Sequence, residues 1–210
     1  MRHQTTMYDR EIRYNDYTQD PTKFRKAKHT IILSDMHLAD AEPPHRTNPL
    51  WKRFKRPKYF VDRSFKRFLE HLQETIAEPI ELILNGDILD FDSVMAQPAR
   101  DSRIKTTWIE KVRGLHAEEA KSRFKLKVIM EDHHVFVTSI RNFILAGNRV
   151  VFVIGNHDME LHWPSVQEDF IRRLELPDEK KDQVLFCEWF YVSNKDTLVE
   201  HGNQYDMYCL

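Results

Sequence analysis

Short apolar runs rich in β-branched residues alternate along this chain with longer stretches in which apolar residues return every three or four positions. Thr30-Ile31-Ile32-Leu33 predicts a first strand, Ile80 to Leu84 a second and Arg149 to Ile154 a third, each bounded by polar or turn-forming residues. Between the first two, Phe65, Phe68, Leu69, Leu72 and Ile76 fall on one helical face, and that helix must stop before Pro79. The charge-rich stretch 101–146 is helical in pattern, in three pieces: Ile104 to Val112, Ala117 to Met130, and Val135 to Leu145. The last piece carries Phe136, Ile140, Phe143 and Ile144 on one face and is stopped by Gly147-Asn148. Pro164 suits the first turn of a further helix that ends near Leu176-Pro177. Val184 to Val192 and Thr197 to Glu200 read as two more strands, joined by the turn Ser193-Asn194-Lys195-Asp196.

Strands and helices in alternation imply an α/β layered core with parallel strands and right-handed crossovers. Residues 1–28 read as a polar N-terminal arm and 29–210 as a single domain. The stretch 101–146 is longer than a strand-to-strand crossover needs, which predicts a helical insertion or partial cap.

Composition narrows the class. Charged residues make up 31% and apolar residues 41% of the 210, the balance of a globular chain rather than a disordered one. A net charge of -1 gives no global reason to expect a polyanionic partner. Cys187 and Cys209 are the only cysteines and have no paired spacing, so neither a disulfide framework nor a zinc knuckle is expected. No apolar run approaches the ~20 residues that span a bilayer. The N-terminus lacks the apolar centre of a secretion signal, so cytoplasmic residence is the expectation.

Four predicted strands run into the same kind of polar cluster: Ser34-Asp35-Met36-His37, Asn85-Gly86-Asp87-Ile88-Leu89-Asp90, Gly155-Asn156-His157-Asp158 and Glu200-His201-Gly202-Asn203. Ligands of α/β sheets bind beyond the carboxyl ends of the strands, so these distant clusters are expected to converge there. Asp35 and His37, two apart on an extended backbone, point the same way and can chelate one ion. Carboxylate, imidazole and amide oxygen without thiolate suit Mn, Fe or Zn and disfavour Cu(I) or an iron–sulfur cluster. A carboxylate has two oxygens and can bridge two cations, and cations ~3.5–4 Å apart can clamp an in-line phosphoryl displacement. Hydroxide held between them is the expected nucleophile, because a divalent cation brings the pKa of bound water toward ~7.

The D-x-H, GD-x-x-D, GNH-D and HG elements, in this order and each after an apolar strand, resemble those of the calcineurin-like metallophosphoesterases from about His29 to Asp206. The resemblance implies a layered two-sheet sandwich flanked by helices and two divalent metal ions, with manganese the natural choice for an assay. It further implies that Asp35 and His37 hold the first ion, that Asp87 bridges, and that Asn156 and His201 hold the second. His157 would contact the phosphoryl group, and Asp158 would orient its imidazole. The GNH form and the run Leu161-His162-Trp163-Pro164 resemble a bacterial branch related to the UDP-diacylglucosamine hydrolases. The family's late G-H-x-H element does not occur here, and no histidine follows His201. The chain is therefore expected to be a C-terminally incomplete piece, whose own activity depends on that element.

Several further residues have competing readings. Asp90 either supports the ligands or caps the next turn. His45, Arg46, Trp51, Lys52, Arg53, Phe54, Lys55 and Arg56 form a basic run with interleaved aromatics, which can meet a phosphate or a nucleic acid strand but also reads as a solvated loop. His133 and His134 are expected on a solvated helix face. His162 is close enough in sequence to the third cluster to touch substrate, against a packing role with Trp163; Asn203 and Asp206 are weaker candidates of the same kind. The leading expectation is a hydrolase of phosphoester or pyrophosphate bonds acting on a phosphorylated small molecule or nucleotide. The alternatives are a non-catalytic binding scaffold of the same fold and a single-strand nuclease.

Overall fold

The computed structural model describes residues 26–43, 46–99 and 101–207. Most of the expected arm at 1–28, His45 and Cys209 lie outside the described residues. Strands β1 (His29–Leu33), β2 (Ile80–Asn85), β3 (Arg149–Val153) and β4 (Val184–Cys187) form one parallel sheet in the order β1-β2-β3-β4. Helix α1 (Asp62–Thr75) links β1 to β2. Three helices, α2 (Trp108–Arg113), α3 (Glu119–Asp132) and α4 (His134–Leu145), lie between β2 and β3, and α5 (Pro164–Arg173) lies between β3 and β4.

The pleat divides the central strands between two apolar layers. Leu82, Leu84, Val150 and Phe152 pack with the helices, whereas Ile83, Val151 and Val153 pack on the other side with Tyr191 and Val199. Those last two belong to β5 (Phe190–Ser193) and β6 (Thr197–Glu200), an antiparallel hairpin that forms the second sheet. Because β2 and β3 are covered on both faces, they read in the sequence as continuous apolar runs rather than alternating ones. The expected two-sheet sandwich with flanking helices is the observed architecture.

Two expectations need correction. The single strand expected over Val184 to Val192 is two: β4 closes the parallel sheet, the chain breaks at Glu188-Trp189, and β5 begins the second sheet. The break holds one charged residue, Glu188, between two half-buried strands, too short an interruption to separate them in the sequence. Within the helical stretch 101–146, α3 and α4 bury Leu126, Ile129, Met130, Phe136, Ile140, Phe143 and Ile144 in the main core, and α2 leaves its apolar residues Trp108, Ile109 and Val112 in solvent. His133 is buried rather than solvated. The helix breaks at this residue, between α3 and α4, which turns the ring inward onto Asp62 (Nδ1, 2.8 Å) and the Ala39 carbonyl (Nε2, 2.7 Å).

Opposite the strand ends that carry the polar clusters, buried Glu81 ties the two sheets together. Its carboxylate accepts hydrogen bonds from Tyr191 at 2.7 Å, Ser193 at 2.5 Å and Arg149 at 2.7 Å. On the helical side, Phe152 meets Phe170 edge-on at 5.0 Å and stacks on Phe186 at 5.1 Å, joining β3, α5 and β4. Truncation of such a ring costs ~3–5 kcal/mol, the sum of lost transfer energy and a residual cavity. Phe152→Ala should therefore lower the urea unfolding free energy by about that amount. Leu198→Ala, at a residue 60% exposed on β6, should stay within ~0.5 kcal/mol of the parent.

Candidate metal centre

The first polar cluster is laid alongside the second by the backbone itself. The Asp35 amide donates to the Gly86 carbonyl at 3.1 Å and the His37 amide to the Asp87 carbonyl at 2.9 Å, continuing the β1–β2 pairing past the sheet. Asp35, His37 and Asp87 all take left-handed backbone angles, with φ of 58°, 47° and 54°. Non-glycine residues in that region cost ~1–3 kcal/mol each and persist where surrounding structure holds them, commonly at functional sites.

Two glycines make room for the convergence. A methyl group on Gly86 would run into the His201 ring, and one on Gly155 would run into the Asp87 carboxylate and amide. Glycine at these positions is thus a requirement of close approach, with Gly86 also at φ 74°.

Asp87, buried, sits at the centre. Its Oδ1 accepts the His157 amide at 2.9 Å; its Oδ2 lies 3.8 Å from His37 Nε2 and 3.4 Å from His201 Nε2. Two groups of side chains bring one donor atom each within 4.8 Å of the others: His37, Asp87 and His157, and Asp35, Asp87 and His201. Asp87 belongs to both, as a bridging carboxylate must. His201 Nδ1 faces the Asn85 carbonyl at 2.9 Å, and the Asn85 amide donates to the Glu200 carbonyl at 3.0 Å. If Nδ1 carries the proton given to that carbonyl, Nε2 keeps its lone pair for a cation. Asn85 belongs to the second polar cluster, and its tie to the second sheet has no local signal in the sequence.

His157 belongs to the ligand-capable set, and its ring meets His37 edge-on at 4.9 Å. The carboxylate beside its Nδ1 is that of Asp90, at 3.3 Å, and the other Asp90 oxygen lies 3.5 Å from His37 Nδ1. Burial works to raise the Asp90 carboxyl, but hydrogen bonds from Ser93 and the neighbouring His157 and His37 outweigh it and hold it below the usual carboxylate range. Asp158, expected to orient His157, has another place. Its oxygens accept the Gly155 amide at 2.6 Å and the Ile88 amide at 2.9 Å, pinning the second and third clusters to each other. Burial above all, reinforced by the Asp87 charge, pushes its carboxyl up to about 6. Asn156 stands half-buried in the same turn, between Gly155 and His157. His162 pairs with Glu188 at 3.2 Å, and Trp163 donates to the Ala117 carbonyl at 3.1 Å. Asn203 is half-buried in a short helical turn after His201, and Asp206 is exposed just beyond it.

The donor set fits divalent cations: carboxylates and imidazoles, with no thiolate. The sequence model of the calcineurin-like phosphoesterases matches residues 28–210. No curated protein and no solved structure matches the chain.

The two glycine contacts give a sharp test. Gly86→Ala should reduce Mn²⁺ affinity at least ~10-fold, as displaced ligand partners typically do. Gly147→Ala is the control. It carries the same backbone strain at φ 98°, but nothing lies within 4 Å of the added methyl, so it should cost stability and leave metal affinity unchanged. Calorimetric titration of both variants, with circular dichroism to confirm folding, checks this.

Proposed function

This chain belongs to the calcineurin-like phosphoesterases, a family of metal-dependent phosphoester hydrolases, and we propose that it cleaves phosphoester or pyrophosphate bonds at a binuclear centre built on Asp87. The observation that carries the reading is the shared membership of Asp87 in two ligand-capable groups. On this reading, Asp35, Asp87 and His201 hold one ion. His37 and Asp87 hold the other; Asn156, which the resemblance pairs with His201, stands in the turn beside His157. Two divalent ions, when bound there, neutralise phosphoryl oxygens and acidify water.

The chain's own residues then divide the remaining work. His157 faces the reacting phosphoryl group and gives a proton to the leaving oxygen, while Asp90, 3.3 Å from its Nδ1, holds the ring in place. The Asn85 carbonyl fixes the His201 ring, and Asp158 locks the Gly155 turn that brings His157 over Asp87. The substrate is a phosphorylated small molecule or nucleotide.

Assay with Mn²⁺ on an aryl phosphate tests the division of roles. Asp87→Asn should abolish both metal binding and hydrolysis, because no other carboxylate belongs to both groups. His157→Ala should retain bound metal and lose ~10²–10⁴-fold in rate, the usual share of a general acid. Equal loss of metal in both variants would make His157 a ligand instead.

A further inference from the structure

A cavity of about 250 Å³ opens on the His37 side of the centre, lined in part by His37, Phe54, Lys55, Tyr59, Phe60 and His133. We propose that it is the leaving-group subsite and that it takes a flat aromatic ring attached to the phosphoryl group. The proposal rests on the phosphoesterase reading of the neighbouring centre.

Position is the first argument. His37 belongs both to the cavity wall and to the ligand-capable group with Asp87 and His157, so a substituent on a phosphoryl group held there has this space beside it. The cavity's walls are also fixed before anything binds. Lys55 is buried, with its ammonium 2.5 Å from Asp40 and 3.2 Å from Glu42, and it donates to the Ser93 carbonyl at 2.5 Å. The second Asp40 oxygen accepts the amides of Met95 and Ala96 at 2.9 and 3.0 Å, tying the loop after the first cluster to the loop after the second. Phe60 lies on the buried His133 ring at 4.1 Å, and that ring is held by Asp62 and the Ala39 carbonyl. A subsite held this way spends little ordering entropy on binding.

Size and chemistry select the occupant. Ligand pockets for larger molecules run to ~300–1,000 Å³, so this one suits a single ring system and is too small for a long aliphatic chain. A sugar would call for free hydrogen-bonding groups, yet Asp40 and Glu42 are already engaged by Lys55. What the walls offer instead is aromatic surface. Phe54 is 64% exposed on a pinned loop, and Tyr59 carries the Arg53 guanidinium 4.3 Å and the Lys58 ammonium 4.9 Å from its ring centre. Those cations hold the Tyr59 ring in place on the cavity wall. The basic aromatic run after the D-x-H element thus acquires a specific role at Phe54 and Tyr59, in place of a general affinity for polyanions.

The test uses the full chain with Mn²⁺ and the variant Phe54→Ala, whose exposed ring can be removed without opening the core. Stacking of one ring typically contributes enough for roughly a ten-fold effect. Phe54→Ala should lower kcat/KM for phenyl phosphate about ten-fold and leave glycerol phosphate unchanged, which cancels differences in leaving-group reactivity. In calorimetry, the parent should bind phenylphosphonate about ten-fold tighter than methylphosphonate, and Phe54→Ala should erase that preference. Equal binding of the two phosphonates by the parent, no binding of phenylphosphonate, or an undiminished preference in the variant would overturn the subsite. Failure to hydrolyse either ester would sink the phosphoesterase reading itself, while the phosphonate titration would still decide the cavity.

Discussion

The buried carboxylate of Asp87 sets the terms for everything around it. A buried anion is expensive unless its charge is met, and among the described residues Asp87 meets imidazoles and a backbone amide, with no lysine or arginine beside it. Asp35, Asp90 and Asp158 add further carboxylates nearby, and Asp158 is driven toward its neutral form by burial and by the Asp87 charge. A protein that concentrates anions in this way is arranged for cations. The glycines at 86 and 155, and three left-handed ligand positions, are the backbone's accommodation of that concentration.

The sheet explains how residues so far apart in sequence arrive together. Parallel strands in sequential order all present their carboxyl ends at one edge, so three turns after β1, β2 and β3 meet there. The fourth cluster needs a different device. His201 follows the antiparallel hairpin of the second sheet and reaches the centre because that sheet packs on Ile83, Val151 and Val153, with Asn85 bonded to both Glu200 and His201. Sandwich packing therefore brings a ligand-capable side chain beside Asp87. Far from the centre, Glu81 holds the same two sheets in register through Tyr191 and Ser193.

Most of this was legible in the chain. The apolar runs at Ile80 and Arg149 and the spacing of Phe65, Leu69 and Leu72 located β2, β3 and α1, because local periodicity records which face is buried. The convergence of Asp35, His37, Asp87 and His201 was legible because the polar clusters sit directly at strand ends. Features that depend on tertiary contact were not. The break at Glu188-Trp189 separates two strands of equal hydrophobicity, and His133 was misassigned because helical periodicity says nothing at a helix break. Asp90 rather than Asp158 lies beside His157 Nδ1, since sequence adjacency in a tight turn does not reveal which carboxylate faces the ring. The His37 cavity was invisible for the same reason: its walls come from loops, and a buried Lys55 looks like any exposed lysine in the sequence.

The central claim is that one carboxylate joins two cation sites. Electron paramagnetic resonance of the chain titrated with Mn²⁺ addresses it without reference to any substrate. Ions ~3.5–4 Å apart are close enough for their spins to couple. The account predicts two ions per chain with a coupled-pair spectrum, which Asp87→Asn converts to that of isolated ions or removes. A spectrum of isolated Mn²⁺ saturating at one ion per chain in the parent protein would contradict it.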